Sequence, residues 1–182
     1  MSDRPIPEPW RSFLLEIDGF LKEDHYFHCL GGFVVTHLYG SVRSTSDIDF
    51  LTLVQRNDDL ISYAGIGSPL YKRFGLYLDP VGVANVPEDY ADRLTEMYPG
   101  EFKHLRLFAL DPYDIALSKI ERNSERDRED VKHLASAVPF DLDTLRHRYI
   151  NELRPYLGNP EREDLTLRLW TEMIEEIRLA TG

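Results

Sequence analysis

The apolar positions in the first third of the chain alternate between helical and strand periods. Residues 10–22 repeat apolar side chains every three to four positions, which predicts an amphipathic helix. Residues 25–30 alternate and are rich in aromatics, which predicts a short strand that ends at a pair of glycines. A short helix is expected over residues 33–39, and a strand over residues 47–54. The order strand–helix–strand predicts a mixed α/β sheet.

Shorter elements are predicted up to residue 110. The pattern favours short helices over residues 57–64 and 69–73, followed by a third strand over residues 76–81. Residues 87–97 are predicted as a helix, and residues 104–110 as a fourth strand. This part of the chain is therefore expected to complete the α/β sheet begun by the first two strands.

Helix start signals dominate the sequence after residue 110. Asp111 followed by Pro112 is typical of an N-cap and the first position of a helix. Ser124 begins a segment with the spacing of a capping box, and Asp141 is a third candidate N-cap. A fourth helix is predicted to end near residue 179. The second part of the chain is therefore predicted to be helical.

Two domains follow from this change in pattern. Residues 1–110 are expected to form an α/β core with a mixed sheet, and residues 111–182 an α-helical subdomain packed on that core. One continuous domain is the alternative, since 182 residues is a length that suits either arrangement.

The composition indicates a folded protein with an acidic surface. Hydrophobic residues make up 42% of the chain, which is enough to fill a core. The formal net charge of −11 argues against a surface built wholly for nucleic acid, although it is compatible with a local basic face. The single cysteine, Cys29, excludes an intramolecular disulfide. With no apolar run long enough to span a bilayer, we expect a cytoplasmic protein with no membrane partner.

Three carboxylates in predicted strands are the candidate catalytic residues. Asp47 and Asp49 are two positions apart on one strand, so their side chains lie on the same face. Two adjacent carboxylates repel each other unless a cation lies between them, and Mg²⁺ or Mn²⁺ takes oxygen ligands of this kind. A two-metal site needs a further acid on a neighbouring strand. Asp79 is the natural candidate, because it interrupts an apolar run in which an unpaired carboxylate is costly.

The residues before the acid pair strengthen this interpretation. An Asp-x-Asp pair alone is more often a solvated strand end or a helix cap than a metal site. Here the pair follows Gly31 and Gly32 at a predicted strand-to-helix turn, where glycine permits tight backbone geometry. The start of the following helix offers free N–H groups, which suit phosphate oxygens.

The segment from Gly31 to Asp49 resembles the nucleotidyltransferase signature of the DNA polymerase β superfamily, in which Gly-Gly or Gly-Ser precedes Asp-hydrophobic-Asp. It is similar in more detail to AbiEii-type toxins and their relatives. In those proteins a glycine pair leads through a short helix to Arg-x-Thr-x-Asp-hydrophobic-Asp, and Arg43 and Thr45 stand at the matching positions. The segment around Asp79 resembles the strand that bears their third acid.

The resemblance continues into the helical half, so that it covers about residues 30–134. Lys119 ends a segment that is similar to the helical signature of the toxin-like family, and Arg126 begins a matching Arg-Asp-x-x-Asp motif. Taken without the resemblance, a lysine near a helix end is explained by the helix dipole. Because minimal nucleotidyltransferases often use Gly-Ser, Gly40 and Ser41 are an alternative phosphate-binding pair to the two glycines before the helix.

The resemblance implies transfer of a nucleoside monophosphate from an NTP, such as ATP, to an acceptor. Asp47 and Asp49 would hold catalytic magnesium or manganese, and Asp79 would complete the metal site. The nucleotide-binding residues that the same motifs imply are Gly31, Gly32, Arg43, Thr45, Ser46, Lys119 and Arg126. The cations among them would neutralise triphosphate charge as pyrophosphate leaves.

The acceptor is left open by the residues. A toxin-like enzyme would modify RNA, above all a tRNA 3′ end, and would have a cognate antitoxin as its partner. A minimal nucleotidyltransferase relative would instead nucleotidylate (AMPylate) a partner protein, as an antitoxin-like enzyme. A non-catalytic binding module with the same fold is a third reading, and the presence of all three acids argues against it.

Overall fold

The computed structural model describes residues 5–52, 57–82 and 84–181. Within them the chain divides into two compact units, a sheet unit and a helical unit. The sheet unit takes the described residues of Met1–Leu38, Val42–Val83 and Leu94–Ala109, and the helical unit those of Tyr39–Ser41, Ala84–Arg93 and Leu110–Gly182. The main division at Leu110 falls where the helix start signals begin, but two short segments from earlier in the chain belong to the helical unit.

Five strands form one mixed sheet in the sheet unit. They are β1 (His25–Leu30), β2 (Asp47–Leu51), β3 (Tyr77–Val81), β4 (Thr95–Met97) and β5 (Leu105–Ala109). Their order is β3-β2-β1-β5-β4. The pairs β2–β3 and β1–β5 are parallel, and the pairs β1–β2 and β4–β5 are antiparallel. The predicted mixed α/β sheet is confirmed; the predicted end of the second strand, residues 53–54, lies outside the described residues.

The two faces of the sheet differ in burial, because successive side chains on a strand point to opposite sides. One face is apolar and forms the core of the sheet unit. Its most buried strand residues are at most 3% exposed: His25, Phe27, Cys29, Ile48, Phe50, Leu78, Leu105, Leu107 and Ala109. The opposite face bears Asp47, Asp49 and Asp79, all of which are half-buried. Solvent reaches this face only in part, since Leu30 and Leu51 on the same face are 6% and 2% exposed.

Helices flank these strands and make up most of the helical unit. The sheet unit contains α1 (Trp10–Phe20), α2 (Gly31–His37), α3 (Asp58–Ala64) and α4 (Pro69–Phe74), and the helical unit contains α5 (Pro112–Leu117), α6 (Glu125–Ala137), α7 (Leu142–Arg148) and α8 (Glu161–Thr181). The predicted caps are confirmed. Ser124 and Asp127 form a reciprocal capping box at α6, and Asp111 and Asp141 accept hydrogen bonds from the first turns of α5 and α7. Among the described residues, no helix combines the length and apolar character needed to cross a bilayer.

The predicted helix over residues 87–97 is wrong. The structure has a 3-10 turn at Tyr90–Arg93, and the chain then enters the edge strand β4. Met97 pairs with Leu107 of β5 and is 4% exposed, so the segment is held by the sheet and its core. Pairing with β5 supplied the hydrogen bonds of this segment, and helix propensity within the segment does not predict that pairing.

Ion pairs explain why the segment Ala84–Arg93 belongs to the helical unit. Arg93 donates hydrogen bonds to Asp114 and Glu152 at 2.9 and 2.6 Å. Arg148 also donates to Asp114, at 3.1 Å, and to Asp111 at 2.6 Å. Since Asp114 is 0% exposed, its charge needs partners of this kind to remain buried.

Candidate active site

Asp47, Asp49 and Asp79 meet on the half-buried face of the sheet. The parallel register of β2 and β3 places Asp49 directly beside Asp79. Asp47 lies two residues before Asp49 on β2, so its side chain points to the same face. One carboxylate oxygen from each of the three residues lies within 4.8 Å of the others. The predicted position of Asp79 on the strand next to the acid pair is thus confirmed.

The acid cluster concentrates negative charge where water reaches it only partly. Burial raises the pKa of the Asp79 carboxyl, and the charge of Asp47 raises it further. Burial also raises the pKa of the neighbouring Tyr77 phenol, and the charges of the three carboxylates add to that effect. A bound cation would relieve this repulsion. The donor set of three carboxylates therefore fits a hard divalent ion such as Mg²⁺ or Mn²⁺.

Gly31 leaves room for the carboxylate of Asp49. Leu30 pairs with Asp49 across β1 and β2, and Gly31 follows immediately as the first residue of α2. A Cβ atom at Gly31 would lie 1.8 Å from Oδ2 of Asp49, so the carboxylate would have to move to admit any other residue. Its φ of +73° is also one that glycine adopts at no steric cost. Glycine is therefore required here for two independent reasons.

Arg43 and Thr45 connect the second glycine to the acid cluster. A Cβ atom at Gly32 would lie 2.8 Å from Nη2 of Arg43, so the guanidinium lies directly against this glycine. The Thr45 hydroxyl donates a hydrogen bond of 2.6 Å to Oδ1 of Asp47. Thr36 of α2 donates to the carbonyl oxygen of Arg43 at 2.9 Å, which ties the loop before β2 to the helix. The structure thus brings these predicted nucleotide-binding residues together beside the metal-binding candidates.

Ser46 and the alternative glycine pair have less direct links to the acids. The Ser46 side chain is exposed, and its carbonyl oxygen accepts a hydrogen bond of 3.0 Å from the backbone of Tyr77. Gly40 also has a positive φ, +74°, but a Cβ atom there would meet nothing within 4 Å. Gly40 and Ser41 are grouped with the helical unit. The close contacts with site residues are those of Gly31 and Gly32.

A known protein family matches almost the whole chain. The sequence profile of a family described as "nucleotidyltransferase of unknown function (DUF6036)" aligns with residues 16–178. The chain belongs to this nucleotidyltransferase family. The resemblance seen in the sequence motifs is thereby confirmed at the level of a nucleotidyltransferase. No curated protein and no solved structure shows significant similarity to the chain.

Two of the predicted nucleotide-binding residues lie in the helical unit of this nucleotidyltransferase. Lys119 is 4% exposed, and its Nζ donates a hydrogen bond of 2.9 Å to Oδ2 of Asp130. The same Nζ lies 3.6 Å from Oδ1 of Asp127, which is also buried. Arg126 is exposed on α6. Lys119 is therefore explained as the counter-ion of two buried carboxylates, with no phosphate needed to account for its position.

Tyr77 is a further residue of the site, beside the three acids. It is half-buried and pairs in register with Asp47 across β3 and β2. Its position two residues before Asp79 places it on the same face of the strand as that acid. The same spacing argument that selects the acid pair would have selected this tyrosine.

Proposed function

We propose that this nucleotidyltransferase uses a divalent metal ion to move a nucleoside monophosphate from an NTP to the 3′ end of an RNA, such as a tRNA. The observation that supports the proposal is the meeting of Asp47, Asp49 and Asp79 within 4.8 Å on one face of the sheet. Gly31 lies against Asp49 of this cluster, and Arg43 lies against Gly32 of α2. A triphosphate bound at the cluster would need both residues at these positions.

The three carboxylates would hold Mg²⁺ or Mn²⁺. When bound, such an ion polarises phosphoryl oxygens and promotes loss of the proton from an attacking hydroxyl. Thr45 fixes one oxygen of Asp47 through its hydrogen bond, which keeps that carboxylate in a single orientation. Asp79 orients the attacking hydroxyl by accepting its hydrogen bond.

The reaction exchanges one bond to phosphorus for another. The acceptor oxygen forms a bond to the α-phosphorus, and the bond from that phosphorus to the pyrophosphate oxygen breaks. The hydroxyl gives up its proton to the Asp79 carboxylate that accepts its hydrogen bond, and pyrophosphate leaves with the electron pair. Arg43, which lies against Gly32, stabilises the negative charge that builds up on the leaving group. Gly31 and Gly32 allow the phosphates to approach the backbone closely.

A transfer assay tests the proposal. The protein is incubated with each α-labelled NTP, beginning with ATP, in Mg²⁺ and with total cellular RNA. We expect label to enter a discrete small RNA, and to be lost on digestion from the 3′ end. Asp47→Asn should abolish labelling, while Glu172→Gln, which removes an exposed charge from α8, should leave it intact. Absence of labelling with every NTP, in a folded protein, would overturn the proposal and favour a non-catalytic binding module.

A protein acceptor is the second candidate, and the net charge of −11 favours it, because an acidic surface repels a polyanion. The same assay separates the two acceptors when total cellular protein replaces RNA. Label on a protein band, with none on RNA, would identify the protein-nucleotidylating enzyme.

A further inference from the structure

Tyr77 and the three acids form a continuous block on one face of β2 and β3. The parallel register pairs Asp47 with Tyr77 and Asp49 with Asp79. The two residues of each strand are two positions apart, so all four side chains point to the same face. All four residues are half-buried. Tyr77 is therefore the immediate neighbour of the acids on this face.

A second tyrosine packs against the ring of Tyr77. Tyr71 of α4 stands edge-on to it, with the ring centroids 5.6 Å apart and the ring planes inclined by 84°. Edge-to-face contacts of this kind are favourable for aromatic rings. Tyr71 is itself placed by the start of α4, where its backbone N–H donates a hydrogen bond of 3.1 Å to the Ser68 hydroxyl. This packing restricts the directions in which the Tyr77 hydroxyl can point.

The Tyr77 hydroxyl has no hydrogen-bond partner in the described part of the chain, although carboxylates are its neighbours. A phenol has one O–H to donate. A phenylalanine at this position would make the same ring contact with Tyr71, so packing alone does not account for the hydroxyl. Because Tyr77 is only half-buried, an oxygen atom of a bound molecule can supply the missing acceptor.

The position of Tyr77 separates it from the groups proposed to hold the triphosphate. Gly31 and Gly32 begin α2 directly after β1, which borders β2 on one side, and Arg43 lies against Gly32. Tyr77 lies on β3, which borders β2 on the other side. Asp79, which is proposed to orient the attacking hydroxyl, lies on β3 as well. Tyr77 is thus placed beside the acceptor and away from the leaving pyrophosphate.

We propose that the Tyr77 hydroxyl donates a hydrogen bond to the 2′ oxygen of the terminal ribose of the acceptor RNA, while Asp79 orients the 3′ hydroxyl of the same ribose. The 2′ hydroxyl is the group by which a protein distinguishes RNA from DNA. This inference rests on the proposed transfer to RNA, and it makes Tyr77 the residue that selects a ribose end.

The spacing on β3 suits a ribose. Tyr77 and Asp79 are successive residues on their face of the strand, about 7 Å apart at about 3.3 Å per residue. The 2′ and 3′ hydroxyls of a ribose are on adjacent carbon atoms. Two O–H···O hydrogen bonds of about 2.7 Å each, joined through these two oxygens, cover that span. One sugar can therefore engage both side chains at once.

Transfer to two RNAs that differ only in their terminal sugar tests the role of Tyr77. The RNA labelled in the transfer assay is prepared with either ribose or 2′-deoxyribose at its 3′ end, and both forms keep the 3′ hydroxyl. The wild type should have the higher kcat/KM for the ribose end. Tyr77→Phe should lower that value about 2- to 13-fold, which corresponds to the loss of one hydrogen bond. Its kcat/KM for the deoxyribose end should equal that of the wild type.

Tyr71→Phe is the matched control, because it removes the same hydroxyl from the other ring of the pair. This variant should discriminate between the two RNAs as strongly as the wild type. Binding of an NTP analogue with a methylene bridge between the α- and β-phosphorus, measured in Mg²⁺, reports on the nucleotide and metal site. Tyr77→Phe should bind the analogue with wild-type affinity, and thermal melting should show that each variant is folded.

Three results would overturn the role of Tyr77 and leave the transfer reaction in place. They are a wild type that does not discriminate between the two RNAs, equal discrimination by the wild type and Tyr77→Phe, and a Tyr77→Phe defect confined to binding of the analogue. Loss of discrimination in Tyr71→Phe alone would assign the role to Tyr71. If the transfer assay labels only protein, or nothing, the proposed transfer to RNA fails and the role of Tyr77 fails with it.

Discussion

The carboxylate of Asp49 occupies the space that a side chain at Gly31 would need. A Cβ atom at Gly31 would lie 1.8 Å from Oδ2 of Asp49, although 18 positions separate the two residues in the sequence. The contact arises because β1 and β2 are antiparallel neighbours and Gly31 follows the last residue of β1. A larger residue at Gly31 would therefore displace the carboxylate of Asp49, which is a candidate metal ligand.

Gly31→Ala should therefore reduce transfer far more than it reduces stability. Moving a catalytic group by about 1 Å can lower the rate about 100-fold. The left-handed φ of +73° adds about 1–2 kcal/mol of strain for any residue with a Cβ. Transfer rates and urea unfolding of the same preparations check both expectations.

Gly67→Ala is the control for the backbone strain alone. Gly67 has a φ of +75°, and a Cβ atom there would meet nothing within 4 Å. Its variant should lose similar stability but keep its activity. Gly40→Ala tests the alternative glycine pair, since Gly40 has the same φ strain without a clash. A larger activity loss for Gly40→Ala than for Gly31→Ala would move the phosphate site to Gly40 and Ser41.

Asp79→Asn should separate metal binding from folding. In EDTA the variant should melt at or above the temperature of the wild type, because one of three repelling carboxylates has been removed. Mg²⁺ at ten times its Kd should stabilise the wild type by about 1.4 kcal/mol, or about 3 °C in Tm, and the variant much less. Glu172→Gln should respond to Mg²⁺ like the wild type. An equal response of Asp79→Asn would exclude this carboxylate from the metal site.

Lys119→Met should destabilise the protein by about 3–5 kcal/mol, because it removes the ion pair that Lys119 forms with buried Asp130. Urea unfolding gives the free energy. Lys132→Met is a matched control, since Lys132 and Glu129 are also 2.9 Å apart but are largely exposed, and it should cost less than about 1 kcal/mol.

Two outcomes of the Lys119 experiment have distinct meanings. If Lys119→Met fails to fold, the double variant with Asp130→Asn, which removes the stranded charge, should recover much of the stability. If Lys119→Met is as stable as Lys132→Met and binds NTP more weakly, Lys119 contacts phosphate and the counter-ion explanation is wrong.

His37 should make the protein less stable in mild acid. Its ring packs against Trp10 and Phe33, and burial lowers its pKa from 6.5 to about 4. Below pH 6.5 the unfolded chain binds a proton that the folded protein does not take up until about pH 4. The contribution of His37 to the free energy of unfolding is therefore fully present above pH 6.5, and it falls progressively as the pH drops towards 4.

Comparison of the wild type with His37→Gln isolates this contribution. The difference in unfolding free energy should shift by about 1 kcal/mol in favour of the variant between pH 7 and pH 5, after allowance for solvent screening of a partly exposed ring. His147→Gln, at an exposed position on α7, should follow the wild type at both pH values. Parallel pH profiles of the wild type and His37→Gln would contradict the prediction.

Local patterns predicted the elements that are specified by residues close together in the sequence. The strand β1 matches its predicted bounds, and the caps at Asp111, Ser124 and Asp141 form as expected. The segment over residues 87–97 shows the limit of such patterns. Its edge strand exists because Met97 meets Leu107 of β5, and nothing within the segment itself indicates that partner.

The sequence by itself determined that Asp47 and Asp49 share a face, because a strand repeats every two residues. It also determined the nucleotidyltransferase family through the order of its motifs. The tertiary structure decided the register that sets Asp79 directly beside Asp49, and it alone decided that Gly31 meets the same acid and that Lys119 is buried against Asp130. Strand register and burial depend on contacts between residues far apart in the chain, whereas periodicity and capping act within a few residues.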